Sequence, residues 1–117
     1  MPTIAVDFDG VISEYQSGDF KFDTFGKADK NIVTALMVLK KNGWKIIVHT
    51  CRPATEALVK FLEVNQIPYD EINRNTEQPD TTNLGKPQSD VYLDDRAVNY
   101  HGQDVTELLK EIQAIIK

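Results

Sequence analysis

The sequence predicts an α/β fold, a three-layer α/β/α sandwich around a mainly parallel sheet. Short apolar runs alternate with stretches of helical period, and most of the runs end in acids or a hydroxyl. Strands alternating with helices imply parallel strands joined by right-handed crossovers. The 117 residues leave room for one domain, residues 1–117, with a modest core. No internal repeat, low-complexity tract or linker is visible.

Thr3 to Phe8 is an apolar run ending in acid, as expected of a strand buried on both faces. Val11 to Lys27 has no helical period and carries Gly18, Gly26 and scattered aromatics, which predicts a short hairpin or flap. Asp29 to Asn42 reads as a helix, with Ile32, Leu36 and Leu39 on one face and Gly43 as its stop. Trp44 to His49 is a second buried strand. Pro53 suits the first turn of the next helix, whose stripe is Ala54, Ala57, Leu58, Phe61 and Leu62. Tyr69 to Asn73 is a weaker third strand, and Arg74 to Pro87 is mostly loop. Asp90 to Leu93 forms a short strand that runs into Asp94-Asp95. Asp104, with Glu107 three residues on, opens a last helix whose core face is Val105, Leu108, Leu109, Ile112 and Ile116.

Composition narrows the function. Apolar residues at 41% and charged residues at 26% fit a soluble globular protein. A net charge of −5 argues against long nucleic acid as a partner, since that needs a basic face to neutralise phosphates. A small phosphorylated substrate remains compatible, because a bound divalent ion inverts the local sign. The single cysteine, Cys51, excludes an internal disulfide and is expected to be a small buried thiol. No basic n-region opens the chain, and runs such as Ile46-Ile47-Val48 are too short to span a bilayer. The expectation is a reducing, cytoplasmic setting with no membrane partner.

In open α/β sheets the ligand sits beyond the carboxyl ends of the strands. Four clusters fall at those ends or in nearby loops: Asp7 with Asp9, Thr50 with Arg52, Lys86, and Asp94 with Asp95. Converging carboxylates repel one another, and a hard divalent ion with oxygen ligands resolves this, so Mg2+ is the expected cofactor. Asp7, at a strand tip, is placed to attack phosphorus and form an aspartyl-phosphate. Asp9, two residues on, is placed to protonate the leaving group and later deprotonate water. Gly10 lets the chain turn just after. Thr50 and nearby amides can hold phosphoryl oxygens, and Lys86 can balance transition-state charge. Asp94, with Asp95 behind it, supplies metal ligands.

The ordered set Asp7-Phe8-Asp9-Gly10, Thr50, Lys86 and Asp94-Asp95 resembles the four motifs of the haloacid dehalogenase-like (HAD) superfamily, from residue 4 to about residue 100. The resemblance implies a Rossmann-like sheet of order 3-2-1-4-5 with the first strand central. It also implies that the Asp9 backbone carbonyl, rather than its side chain, joins Asp7 and Asp94 at the magnesium. An acid at Asp9 is typical of the superfamily's phosphatases and mutases. The intervals where cap domains enter are short here, so the chain looks like a capless phosphatase. Selectivity then falls to the flap from Ile12 to Phe25 or to a partner subunit in a homo-oligomer, with Glu14, Tyr15 and Arg52 as candidate substrate contacts.

A cysteine phosphatase needs its arginine several residues after the cysteine, whereas Cys51 and Arg52 are adjacent. His49 and His101 are too far apart in sequence to suggest a zinc site. Thr50 can also cap the helix that Pro53 begins. A signalling receiver domain would carry a lone acceptor aspartate after its third strand, and that position is empty. A HAD-like domain that binds a phosphorylated ligand or a protein without turnover remains the main alternative.

Overall fold

The computed structural model describes residues 1–16, 21 and 23–116. Of the expected flap, Ser17 to Phe20 and Phe22 lie outside the described residues, and so does Lys117. The elements are β1 (Thr3–Val6), α1 (Lys30–Lys41), β2 (Lys45–Val48), α2 (Glu56–Val64), β3 (Glu71–Ile72), β4 (Val91–Leu93) and α3 (Val105–Ile115). The sheet is parallel with order β3-β2-β1-β4, so β1 lies inside it, as expected. The fifth strand of the expected order is not found among the described residues. After β4 the chain passes through a polar loop into α3, which leaves β4 at the sheet edge.

Alternation along the strands decides what each face buries. Ile4 and Val6 stand in register with Ile46 and Val48, and these four point to one face. There they join Phe8, Leu36 of α1, and Leu58 and Leu62 of α2 in one core cluster. Phe8, Phe25 and Phe61 extend the cluster through edge-on and tilted contacts with centroids 4.9–5.7 Å apart. Both crossover helices therefore cover the same face, as right-handed connections running from β1 to β2 to β3 require.

The opposite face carries Thr3, Ala5, Lys45 and Ile47 and is covered by the segment after β3 rather than by a helix. Lys45, only 5% exposed, anchors that segment through its Nζ, which reaches Asn75 Oδ1, Glu77 Oε1 and Glu71 Oε2, each at 2.8 Å. Burial pushes its ammonium pKa down, but the hydrogen bonds it donates to Glu71 and Glu77 outweigh that, and the pKa ends above its ordinary value. Gln78 adds a second anchor, donating to Thr82 Oγ1 and accepting from the Gln88 amide, both at 2.8 Å.

Helix ends follow local chemistry. Asp29 caps α1, accepting from the amides of Asn31 and Ile32 at 2.9 and 3.1 Å, worth about 1 kcal/mol. Gly43, at φ +86°, ends it while the Trp44 amide donates back to Leu39 O. α2 starts later than its proline suggests: Thr55, not Thr50, is the cap, accepting from the Leu58 amide, so Pro53 and Ala54 precede the helix. Asp104 caps α3 as expected, accepting from the Glu107 amide at 2.9 Å. Yet α3 contributes no buried residue, and the side chains expected to form its core face stay largely exposed. Among the described residues the second helical layer of the expected sandwich is therefore not formed. No described helix is long and apolar enough to cross a membrane.

Candidate functional site

Asp7 follows β1 directly, its amide donating to Leu93 O at 2.9 Å, and Asp94 follows β4. Because β1 and β4 run parallel and adjacent, Val6 pairing with Leu93, their carboxyl ends bring Asp7 beside Asp94 and Asp95. One carboxylate oxygen from each of the three lies within 4.8 Å of the others, a cluster that can hold a metal ion. Burial raises the pKa of Asp7 from 3.8 to about 6. The Phe8 amide, 2.8 Å from Oδ1, works against that rise, while the neighbouring acids add to it.

Asp9 stands outside that trio. Its carboxylate is gripped by Arg52, with Nε on Oδ2 and Nη2 on Oδ1, both at 2.9 Å. Arg52 is 2% exposed, lies over the rings of Phe8 and Phe25 at 5.4 and 4.8 Å, and donates from Nη1 to Lys21 O. A planar fork stacked on aromatic faces suits arginine and not lysine. Arg52 is thus turned inward against Asp9 and the base of the flap. The Glu14 side chain is exposed, and its amide donates to Lys27 O at 2.8 Å, holding the chain as it returns from the flap.

Tyr15 closes the site on the flap side. Its hydroxyl donates to Asp95 Oδ2 at 2.5 Å, and Arg96 Nε donates to the same hydroxyl at 3.2 Å. The hydrogen bond to Asp95 raises the phenol's pKa. The Arg96 guanidinium sits 5.5 Å from the ring centroid. Gly10 makes this closure possible: it adopts φ +84°, and a Cβ there would meet Asp95 Oδ2 at 2.5 Å and the Tyr15 ring at 2.6 Å.

On the other side, Thr50 follows β2. Its Oγ1 accepts from the Arg52 amide at 3.1 Å, and its own amide donates to Asn73 Oδ1 at 2.7 Å. Asn73 Nδ2 donates to Arg52 O at 3.0 Å, so one side chain fixes both ends of the 50–52 turn. Asn73 sits at φ +59°, a conformation asparagine tolerates better than most residues. A cavity of about 370 Å³ is lined by Asp7, Asp9, Tyr15, His49, Thr50, Cys51, Asp94 and Arg96. Cys51 is exposed here, contrary to the buried thiol expected, because the turn after β2 points it into this opening. Lys86 lines an adjoining cavity of about 750 Å³ that shares His49 and Asp94, with its ammonium 4.9 Å from the centre of the Tyr92 ring.

Two contributors were not singled out in the sequence. Arg96 is signalled only by its place beside Asp94-Asp95. Asn73 has no signal beyond being an asparagine at a strand end, and its role needs the fold to bring β3 beside β2.

No protein-family model matches the sequence, and no curated protein matches it. Solved structures do match. A conserved protein from Bacteroides thetaiotaomicron is 23% identical with a TM-score of 0.66, covering 96% of this chain and 89% of that one. A chain of the Pnkp1/Rnl/Hen1 RNA repair complex is 21% identical with a TM-score of 0.61, covering 97% of this chain and 38% of that one. A second structure of the Pnkp1/Rnl/Hen1 complex is 24% identical with a TM-score of 0.52, covering 68% of this chain and 31% of that one. This chain thus corresponds to about a third of the chains from the complex, and what it shares with all three structures is the fold.

Proposed function

We propose that this chain is a magnesium-dependent phosphomonoester hydrolase of the HAD-like type, a single domain working through an aspartyl-phosphate on Asp7. The observation that carries this reading is the meeting of Asp7, Asp94 and Asp95 at two adjacent strand ends, with Asp9 in the same cavity. The donor set fits a hard divalent cation: three carboxylates, one of them with a pKa raised to about 6. Asp7, Asp94 and the Asp9 carbonyl would hold magnesium, with Asp95 beside them. Once bound, the ion would offset the crowded negative charge and polarise the phosphoryl oxygens.

In this reading an Asp7 carboxylate oxygen forms a bond to phosphorus as the bond from phosphorus to the leaving oxygen breaks. Asp9 gives that oxygen its proton. Water then attacks the phosphorus of the phospho-aspartate while Asp9 takes a proton back, releasing inorganic phosphate and restoring Asp7. Asp9 accepts two N–H groups from Arg52, which engage both of its carboxylate oxygens. To act as acid it must turn from Arg52 toward the substrate. The Thr50 hydroxyl and the Cys51 amide would bind phosphoryl oxygens, since the Thr50 and Arg52 amides are taken by Asn73 Oδ1 and Thr50 Oγ1, and Lys86 would reach them from the adjoining cavity.

The open cavity favours a small substrate selected by Tyr15, Arg96 and the flap. Two of the similar structures come from an RNA repair complex, which keeps a phosphorylated nucleic-acid end among the candidates beside sugar phosphates and nucleotides. The grip of Arg52 on Asp9 favours a second reading, a domain that binds a phosphorylated ligand without turning it over. The test is phosphate release from p-nitrophenyl phosphate. Turnover is expected with magnesium, none with EDTA, and a loss of at least about 10³-fold in Asp7→Asn. Magnesium binding without turnover in the wild type would leave the second reading standing.

A further inference from the structure

Val91 and Leu93 of β4 stand in register with Ile4 and Val6, so they continue the apolar face that α1 and α2 cover over the rest of the sheet. Ile4 and Val6 are 6% and 0% exposed, whereas Val91 and Leu93 are 43% and 37% exposed. The complementary lack lies in α3. Val105, Leu109 and Ile112 fall on one helical stripe, with Ile116 just past the helix end, and all four are exposed. The sheet lacks a helix where the helix lacks a sheet.

A built elbow holds the two apart. The His101 amide donates to Gln103 Oε1 at 2.8 Å, and Gln103 Nε2 donates to Asn99 O and Glu111 Oε2, each at 3.0 Å. These bonds tie the first two turns of α3 to the loop before it. The radius of gyration is 15.3 Å, against roughly 13 Å for a compact domain of this length.

We propose that the chain forms a two-fold dimer in which α3 of each copy lies across the β4 face of the other. A second copy is the favoured occupant because each chain carries both halves of the contact, and a two-fold axis forms that contact twice. The apolar side chains left exposed on α3 and β4 amount to on the order of 700 Å² over two copies. At the apolar share usual in homodimer interfaces this corresponds to roughly 1,100 Å² in all, about the least that a specific interface buries.

Sedimentation of the full chain is expected to give a dimer, and Ile112→Glu a monomer with unchanged far-UV circular dichroism. A wild-type monomer at every concentration tested, or a dimer undisturbed by Ile112→Glu, would overturn the proposal. Cross-linking gives a readout that does not depend on the glutamate variant folding. In a Cys51→Ser background, Leu93→Cys mixed with Leu109→Cys or Ile112→Cys is expected to yield a disulfide between the two different chains. No mixed product, or an intrachain disulfide in the doubly substituted chain, would show α3 folding back on its own sheet and would also overturn the proposal.

Discussion

The two flanks of the sheet are built to different standards. On the β2 flank, strand residues are buried on both faces, two helices share one core, and loops are pinned by Lys45, Gln78 and Asn73. On the β4 flank, all three strand residues are exposed and the following helix buries nothing. The candidate site straddles the two. Asp7, Asp9 and Thr50 belong to the well-buried flank, whereas Asp94, Asp95 and Arg96 belong to the open one. Two of the three clustered acids, Asp94 and Asp95, therefore stand on the flank with the fewest buried contacts. Local stability follows buried apolar contact, so the open flank is expected to loosen first, and whatever binds across the acids should tighten it.

The largest expected effect compares the same truncation on each flank. Leu58→Ala removes a fully buried side chain from the shared core and should cost about 3 kcal/mol in urea unfolding. Leu109→Ala, on the exposed stripe of α3, should cost less than about 1 kcal/mol in dilute protein, with the cost rising as concentration is raised. Equal costs in dilute protein would erase the contrast between the flanks.

A smaller effect comes from the junction between them. Gly10→Ala places a Cβ against Asp95 and Tyr15 at φ +84° and should cost roughly 1–3 kcal/mol. Metal affinity should fall with it, because the displaced Asp95 sits within the acid cluster. Isothermal titration with magnesium reads that loss, and unchanged affinity would separate Asp95 from the ion.

The smallest effect is a pH dependence. Asp7 has a folded-state pKa raised to about 6 from 3.8, so between those values the folded chain holds more protons than the unfolded one. Its contribution to stability is then greatest below the lower value and is lost as pH rises through the higher one. Metal-free protein should be slightly more stable near pH 5 than near pH 7 from this group alone. Asp7→Asn should remove the difference, and added magnesium should offset it at pH 7. Thermal melts of the metal-free protein at the two pH values measure the effect, and an unchanged difference in Asp7→Asn would assign it to another group.

The chain's own chemistry made several parts of this legible. The apolar runs at 3–6 and 45–48, the Asp104 cap and the Gly43 stop depend on neighbours within a few residues, and they stand in the structure where the sequence places them. Asp7, Asp94 and Asp95 could be expected to meet because parallel strands put their carboxyl ends on one side, and that rule needs only the strand order. Thr55 displaced Pro53 as the start of α2 through a local competition between caps that residue types alone do not rank.

What only the tertiary structure decided depends on partners distant in sequence. The Asp9–Arg52 pair spans 43 residues, Tyr15–Asp95 spans 80, and Asn73 meets the 50–52 turn only because β3 lies beside β2. The missing second helical layer belongs with these. The amphipathic period of α3 records that the helix has an apolar side, and periodicity carries no address for the surface that side will cover. That the described residues form four strands could not be read from the chain either, since the five-strand order came from resemblance and the loop after β4 leads into a helix instead.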